Sequence, residues 1–314
     1  MNFISNILDK TKKSPIHWIT RLTTIIYYKG IIKNKGTYFM KEDWDNLIIL
    51  DGCRYDSFEK INHINGKLEF RFSRGSSTSE FLKENFSGRK FSDTIYITSN
   101  PLVNYFVPDS FFKIISVWRE GWHDEYGTVL PETVVENTLK VDKEFPNKRL
   151  IIHFMQPHYP YIGKRSRENI GYHDGILSHF LFQDSKDSKK AKHTTQLVWN
   201  LLKNGKIDKK TVLEAYEENL QIVLEHTESL IKILTGKTII TADHGNLFGE
   251  RMLPFFIKEY GHPRATYKEN LIKVPWFIIN RERRKEIKKS ERLEINKEEE
   301  NCIKKRMKEL GYID

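Results

Sequence analysis

The sequence predicts an α/β fold, a mostly parallel central sheet with helices on both faces. Three observations carry that expectation. From about residue 46 onward, short apolar runs of strand length alternate with segments of helical period. The segment 210–235 is amphipathic, with Leu213, Tyr216, Leu220, Val223, Leu224 and Leu230 on one face and Gly236 behind it as a stop. Two apolar runs, Asn46-Leu47-Ile48-Ile49-Leu50 and Thr238-Ile239-Ile240, lead into acids, Asp51 and Asp243. Strands that end so point to one site above the carboxyl edge of a parallel sheet.

In chain order, residues 1–43 read as a helical, basic segment. Its stretch 16–33 (IHWITRLTTIIYYKGIIK) is apolar and basic enough for peripheral contact with a bilayer, although a helix packed on the protein body is the plainer reading. The opening MNFISNILDKTKK is interrupted by Asp9 and lacks a small-residue cleavage site, so it does not read as a signal peptide. No apolar run reaches the length of about 18 residues that a membrane span needs. A cytoplasmic location is therefore expected. Strands are expected at 47–50, 94–98, 113–117, 149–154, 237–241 and 274–279, within a catalytic domain over 44–280. The polar segment 163–207 reads as an insertion or lid over one sheet edge. Residues 281–308 read as charged helix, within a tail spanning 281–314.

A chain of 314 residues with 39% hydrophobic and 12% aromatic content can bury one large core. Its net charge of +10 suits an anionic partner, but much of the excess sits on Lys-rich helical surface and in the tail. With no zinc-finger spacing or other such motif, no nucleic acid partner is expected. Cys53 and Cys302 lie far apart in unlike contexts, which argues against a disulfide scaffold.

The chemistry-bearing residues cluster at the expected strand ends. Thr241-Ala242-Asp243-His244-Gly245 puts a carboxylate beside an imidazole at the end of a buried strand, a costly arrangement unless a metal ion neutralises it. Asp51, followed by Gly52, alone would pass for a helix or turn cap; paired with Asp243 and His244 it reads as a ligand. In Ser73-Arg74-Gly75-Ser76-Ser77-Thr78-Ser79-Glu80, Gly75 permits a turn and Ser77 with Glu80 has capping-box spacing. A hydroxyl just before that cap would sit in the positive field of a helix N-terminus, where an alkoxide costs less. His153 and His158 flank a strand end that opens into a Pro-rich loop, a place for ligands or oxyanion donors. His262, in Tyr260-Gly261-His262-Pro263, gains weight from its order after the Asp-His pair.

In the order LDGCRYD, GSSTSEF, HFMQPHYPY, TADHGNLFGE and GHP…VPWFII, these segments resemble the alkaline phosphatase/sulfatase superfamily, most closely its sulfatase-like proteins. The resemblance runs from about residue 44 to the terminal LGYID. It implies an alkaline phosphatase-like fold and a divalent metal held by Asp51, Asp243 and His244. By the same match Ser76 is the nucleophile bonded to the metal, with Thr78 the second candidate. His262 then serves a second metal or the substrate oxygens, and His158 contacts the transferred group. Arg54 pairs with that group or with Asp56, and His153 is a further candidate for substrate binding. The sequence departs from the pattern in two places. GSSTSEF lacks the Cys-x-Pro-x-Arg of formylglycine sulfatases or its serine version, and Asn246 stands where many relatives carry Glu.

The expected activity is metal-dependent hydrolysis of a phosphate or sulfate ester through a Ser/Thr nucleophile and a covalent intermediate. An imidazole ligand favours one or two ions of zinc or manganese over calcium. The substrate is an anionic ester, glycan-linked in one version. A phospho-alcohol transferase acting on a surface glycan or lipid is the alternative. A non-catalytic binding member of a polysaccharide system is the second alternative, opposed by the kept acids and histidines, since a dead site has no need of unpaired buried charge.

Overall fold

The computed structural model describes residues 22–32, 34–170, 197–253 and 256–291. In chain order the elements are β1 (Asn46–Leu50), α1 (Tyr55–Ile61), β2 (Lys67–Phe72), α2 (Thr78–Phe86), β3 (Phe91–Thr98), α3 (Leu102–Phe106), β4 (Phe111–Ser116), β5 (Trp122–His123) and β6 (Thr128–Val129). Then follow α4 (Pro131–Glu144), β7 (Arg149–Phe154), α5 (Lys164–Asn169), α6 (Leu197–Lys203), α7 (Lys209–Ile233), β8 (Thr238–Thr241), β9 (Leu247–Met252), β10 (Ile257–Gly261), α8 (Glu269–Ile272) and β11 (Lys273–Ile279).

Seven strands form one sheet in the order β2-β11-β8-β1-β7-β3-β4. The pairs from β8 through β1, β7 and β3 to β4 are parallel, and β11 alone runs antiparallel to its neighbours β8 and β2. The expected mostly parallel α/β fold is therefore what the chain adopts. Central β1 explains its own composition: Leu47, Ile48, Ile49 and Leu50 are all fully buried, because helices cover both faces. Each such side chain contributes about 2 kcal/mol through burial. Adjacent residues of β11 show the two layers. Trp276 meets Phe39, which meets Phe81 of α2, whereas Phe277 meets Phe58 of α1 on the opposite face.

Helix α7 starts at Asp208, whose side chain accepts from Thr211 N at 2.8 Å, and it buries Tyr216, Leu220, Val223, Leu224 and Leu230 as the periodicity predicts. Leu213, at the rim of that face, is half-buried. Gly236 follows at φ +97°, a conformation glycine adopts without strain.

Some expectations need correction. The charged stretch 281–291 is not helical: Arg284 pairs with Asp43 and Asp45, Lys285 with Asp142, and Lys288 N and Ser290 N donate to Asn147 O and Ser92 O. Its charges are drawn one by one to acids and carbonyls along the sheet, which outweighs helix propensity. The sequence also gave no sign of β2, nor of the small β5–β6 and β9–β10 hairpins. Of the polar segment 163–207, the flanks form α5 and α6, while 171–196 lie outside the described residues. So do 1–21 and 292–314 with Cys302. Within 16–33, residues 22–32 are helical: Tyr28 is buried, whereas Leu22, Ile26 and Ile31 are exposed. No helix among the described residues is long and apolar enough to cross a membrane.

Candidate active site

Register decides which side chains share a face. Thr98, His153, Ile49, Thr241 and Trp276 stand side by side across β3, β7, β1, β8 and β11. Two residues further along lie Asn100, Asp51 and Asp243, all at the carboxyl edge. Gly52 follows Asp51 at φ +67°, turning the chain so that Gly52 N donates to Asp243 Oδ1 at 3.0 Å. His244 N donates to the same oxygen at 2.9 Å, which leaves Asp243 Oδ2 buried without a hydrogen-bond partner among the described residues. Asp51 is divided likewise: Asn100 Nδ2 donates to its Oδ2 at 2.9 Å, while Oδ1 has no such partner among the described residues. His244 Nδ1 lies 2.7 Å from Gly245 O and so carries the hydrogen, leaving a lone pair on Nε2. That nitrogen lies 3.3 Å from Asp243 Oδ2 and 3.7 Å from Asp51 Oδ1. The three residues offer ligand atoms all within 4.8 Å of one another, in full burial. Two carboxylate oxygens and an imidazole lone pair converging in full burial fit a cation.

Thr78 opens α2, and its Oγ1 lies 3.2 Å from His244 Nε2, so the hydroxyl donates to that nitrogen. Ser76 is engaged elsewhere. Its Oγ lies 2.9 Å from Glu80 Oε2 and 3.0 Å from Pro263 O, and it accepts from Thr266 N at 3.2 Å. The expected capping box does not form, because Glu80 reaches past Ser77 to Ser76 N at 3.2 Å, while its other oxygen accepts from Ala265 N at 2.9 Å. Glu80 thus ties the start of α2 to the loop after His262. Ser73 Oγ donates to Asp243 O and fastens the same segment to the Asp-His turn.

His158 and His262 form a pair beside the cluster, their Nε2 atoms 2.9 Å apart. His158 Nδ1 lies 2.6 Å from Tyr159 O and carries a hydrogen, so His262 donates from Nε2 and keeps a bare Nδ1. That Nδ1 is buried without a partner among the described residues, and the His262 ring stacks on His244 with centroids 4.4 Å apart. Burial first, then the neighbouring imidazoles of His244 and His158, pushes the His262 imidazole well below its ordinary pKa and keeps it neutral. At Asp51, burial acts upward, but contact with His153 and the nearby imidazoles of His158 and His244 outweigh it. They hold the carboxyl below its usual range.

Two candidates sit where they cannot swing freely. Arg54 is bound through Nε to Asp56 Oδ1 at 2.8 Å and through Nη1 to Glu250 at 2.7 Å and Asn246 O at 3.1 Å. Fully buried His153 lies between Tyr96 Oη, 3.0 Å from Nδ1, and Asp51 Oδ2, 3.4 Å from Nε2. Sequence reasoning missed Asn100, Tyr96 and Tyr216, whose hydroxyl donates to Gly52 O and accepts from Arg54 N, both at 2.9 Å. Asn100 did leave a signal, as a polar residue just past another expected strand.

Fold and site together define an α/β protein with a buried two-carboxylate, one-imidazole cluster beside a hydroxyl at the carboxyl edge of its sheet. No protein-family model and no curated protein matches the chain. Among solved structures it is similar to the integral membrane protein lipooligosaccharide phosphoethanolamine transferase A (EptA) from Neisseria meningitidis. The two are 15% identical, with 74% of this chain and 47% of that one covered, at a TM-score of 0.46. The chain thus spans about half the length of that protein. It is also similar to the C-terminal periplasmic domain of EcEptC from Escherichia coli in complex with Zn, at 13% identity, 79% and 76% coverage, and a TM-score of 0.44. A protein in the alkaline phosphatase superfamily from Vibrio parahaemolyticus is 12% identical, with 87% and 71% covered, at a TM-score of 0.35. These are distant likenesses of fold, and the chemistry of the site rests on its own geometry.

Proposed function

We propose that the chain is a metal-dependent enzyme that cleaves or transfers phosphate or sulfate esters through Thr78. The observation that carries this reading is the Thr78 hydroxyl standing 3.2 Å from His244 Nε2, the nitrogen around which the two unpartnered carboxylate oxygens gather. Asp51 Oδ1, Asp243 Oδ2 and His244 Nε2 would hold the cation, with zinc or manganese suited better than calcium by the imidazole. The bare Nδ1 of His262 is the candidate ligand for a second ion. Held by Asp51, Asp243 and His244, a divalent ion would lower the pKa of the Thr78 hydroxyl and offset charge growing on the ester oxygens.

Thr78 Oγ1 forms the bond to phosphorus or sulfur as the bond to the alcohol oxygen breaks. The hydroxyl proton passes to water, and the departing alcohol takes its proton from water. Water or a second alcohol then releases the group from Thr78. Ser76 and Glu80 hold Thr78 in place, and Arg54 braces the turn after β1.

A panel of aryl phosphate mono- and diesters and an aryl sulfate, run with zinc and manganese, tests the reading. Thr78→Ala should lower turnover at least about a thousandfold while metal content stays at the wild-type level. Turnover by Thr78→Ala at the wild-type rate would reject Thr78 as nucleophile. Product that forms only when an acceptor alcohol is supplied would assign the transferase version.

A further inference from the structure

His153 has no route to a substrate, since it is completely buried within β7. Its two nitrogens face different partners, Tyr96 Oη 3.0 Å from Nδ1 and Asp51 Oδ2 3.4 Å from Nε2, and Nε2 has no hydrogen-bond partner among the described residues. Only one tautomer suits this setting. A hydrogen on Nδ1 would leave a bare Nε2 lone pair opposed to a buried carboxylate oxygen. With the hydrogen on Nε2, Tyr96 donates to Nδ1 and the ring N–H faces Asp51. The Tyr96 phenol can play that part because burial, then the charges of Asp243 and Asp51, push its pKa well up and keep it protonated.

Asp51 Oδ2 therefore faces two donors, His153 and Asn100 Nδ2, whereas Oδ1 faces none and points toward the other ligand atoms. We propose that His153, oriented by Tyr96, is a positioning residue that acts with Asn100 to restrict Asp51 to binding the cation through a single oxygen. The inference rests on the metal reading above. One oxygen per carboxylate suits a small ion with few ligands, while calcium gathers six to eight oxygens and often takes both from one carboxylate. A carboxylate freed from His153 could turn and offer both oxygens.

The test is metal binding to the full chain after stripping with a chelator, with folding checked by circular dichroism. Cobalt(II) is titrated by visible absorption, and zinc and calcium by calorimetry. His153→Leu should weaken cobalt and zinc binding by about 10- to 100-fold and narrow the preference for zinc over calcium. His153→Gln, which can present an amide N–H to Asp51, should recover binding to within about threefold of wild type. Tyr96→Phe, which removes only the hydroxyl, should weaken binding in the same direction and shift the cobalt spectrum. Binding by folded His153→Leu within about threefold of wild type overturns the proposal, as does a Gln variant as weak as the Leu variant. Should His153→Leu not fold, an unchanged affinity and spectrum in Tyr96→Phe overturns it instead. A wild-type chain that takes up neither cobalt nor zinc sinks the metal reading itself, and this proposal with it.

Discussion

Two hydroxyls separated by a single residue divide the work at the start of α2. Thr78 meets the imidazole of His244, and Ser76 joins Glu80 to the loop 263–266 that follows His262. Removing Ser76 Oγ strips Glu80 of a donor and the buried Thr266 N of an acceptor. Ser76→Ala should therefore lose about 1–3 kcal/mol of stability in urea unfolding. Turnover should fall only in part, through loosening of the His262 loop, with metal content unchanged. A dead Ser76→Ala beside an active Thr78→Ala would move the nucleophile to Ser76. The resemblance ranks Ser76 ahead of Thr78, at a point where the chain passes from extended to helical. Which hydroxyl reaches His244 depends on how Gly75 packs, and a Cβ there would lie 2.2 Å from Phe81 N.

At the scale of elements, what was legible follows burial. The central strands β1, β7 and β8 are covered on both faces and read as unbroken apolar runs, so their ends, and with them Asp51, Asp243 and His244, could be placed in advance. Strand β2 (KLEFRF) lies at the sheet edge with charged, partly exposed side chains, and its pattern does not stand out from a loop. The β9–β10 hairpin is equally half-exposed, yet it carries the chain from the Asp-His turn to His262. The joint between β8 and β9 is tight. Gly245 N donates to Leu271 O at 2.8 Å, and a Cβ on Gly245 would lie 2.1 Å from Asn270 O. Gly245→Ala must then push α8 away from the Asp-His turn. It should cost about 1–3 kcal/mol, read as a lowered melting temperature, and weaken cobalt binding through displaced His244. Wild-type melting and affinity together would show that this contact yields freely.

Across the whole molecule, chemistry and bracing occupy opposite edges of the sheet. The site gathers at the carboxyl ends of β1, β3, β7 and β8, while residues 281–291 run past the amino ends, meeting Asp43 and Asp45 before β1, Asn147 before β7 and Ser92 at the start of β3. Part of the basic excess that would suit an anionic partner thus serves as a strap. Arg284 is its main clamp: hydrogen bonds from Arg284, then Lys237, hold the Asp43 carboxyl down to about 2. A depressed carboxyl stabilises the fold above its ordinary pKa, and that stability drains away as pH falls through the folded value. Asp43 and Arg284 face solvent, with side chains 64% and 44% exposed, so screening keeps their share small, whereas Asp45 is buried and bound to the same guanidinium. Arg284→Ala should cost about 1–2 kcal/mol at neutral pH. In urea unfolding from pH 6 down to about 2, the gap from wild type should narrow in part toward the acid end as Asp43 begins to protonate in the folded protein. Because the clamp lies at the edge remote from Thr78, turnover and cobalt affinity of the folded variant should match wild type. A gap that stays constant to the acid limit would mean that packing of the strap, rather than its charge, supplies the stability.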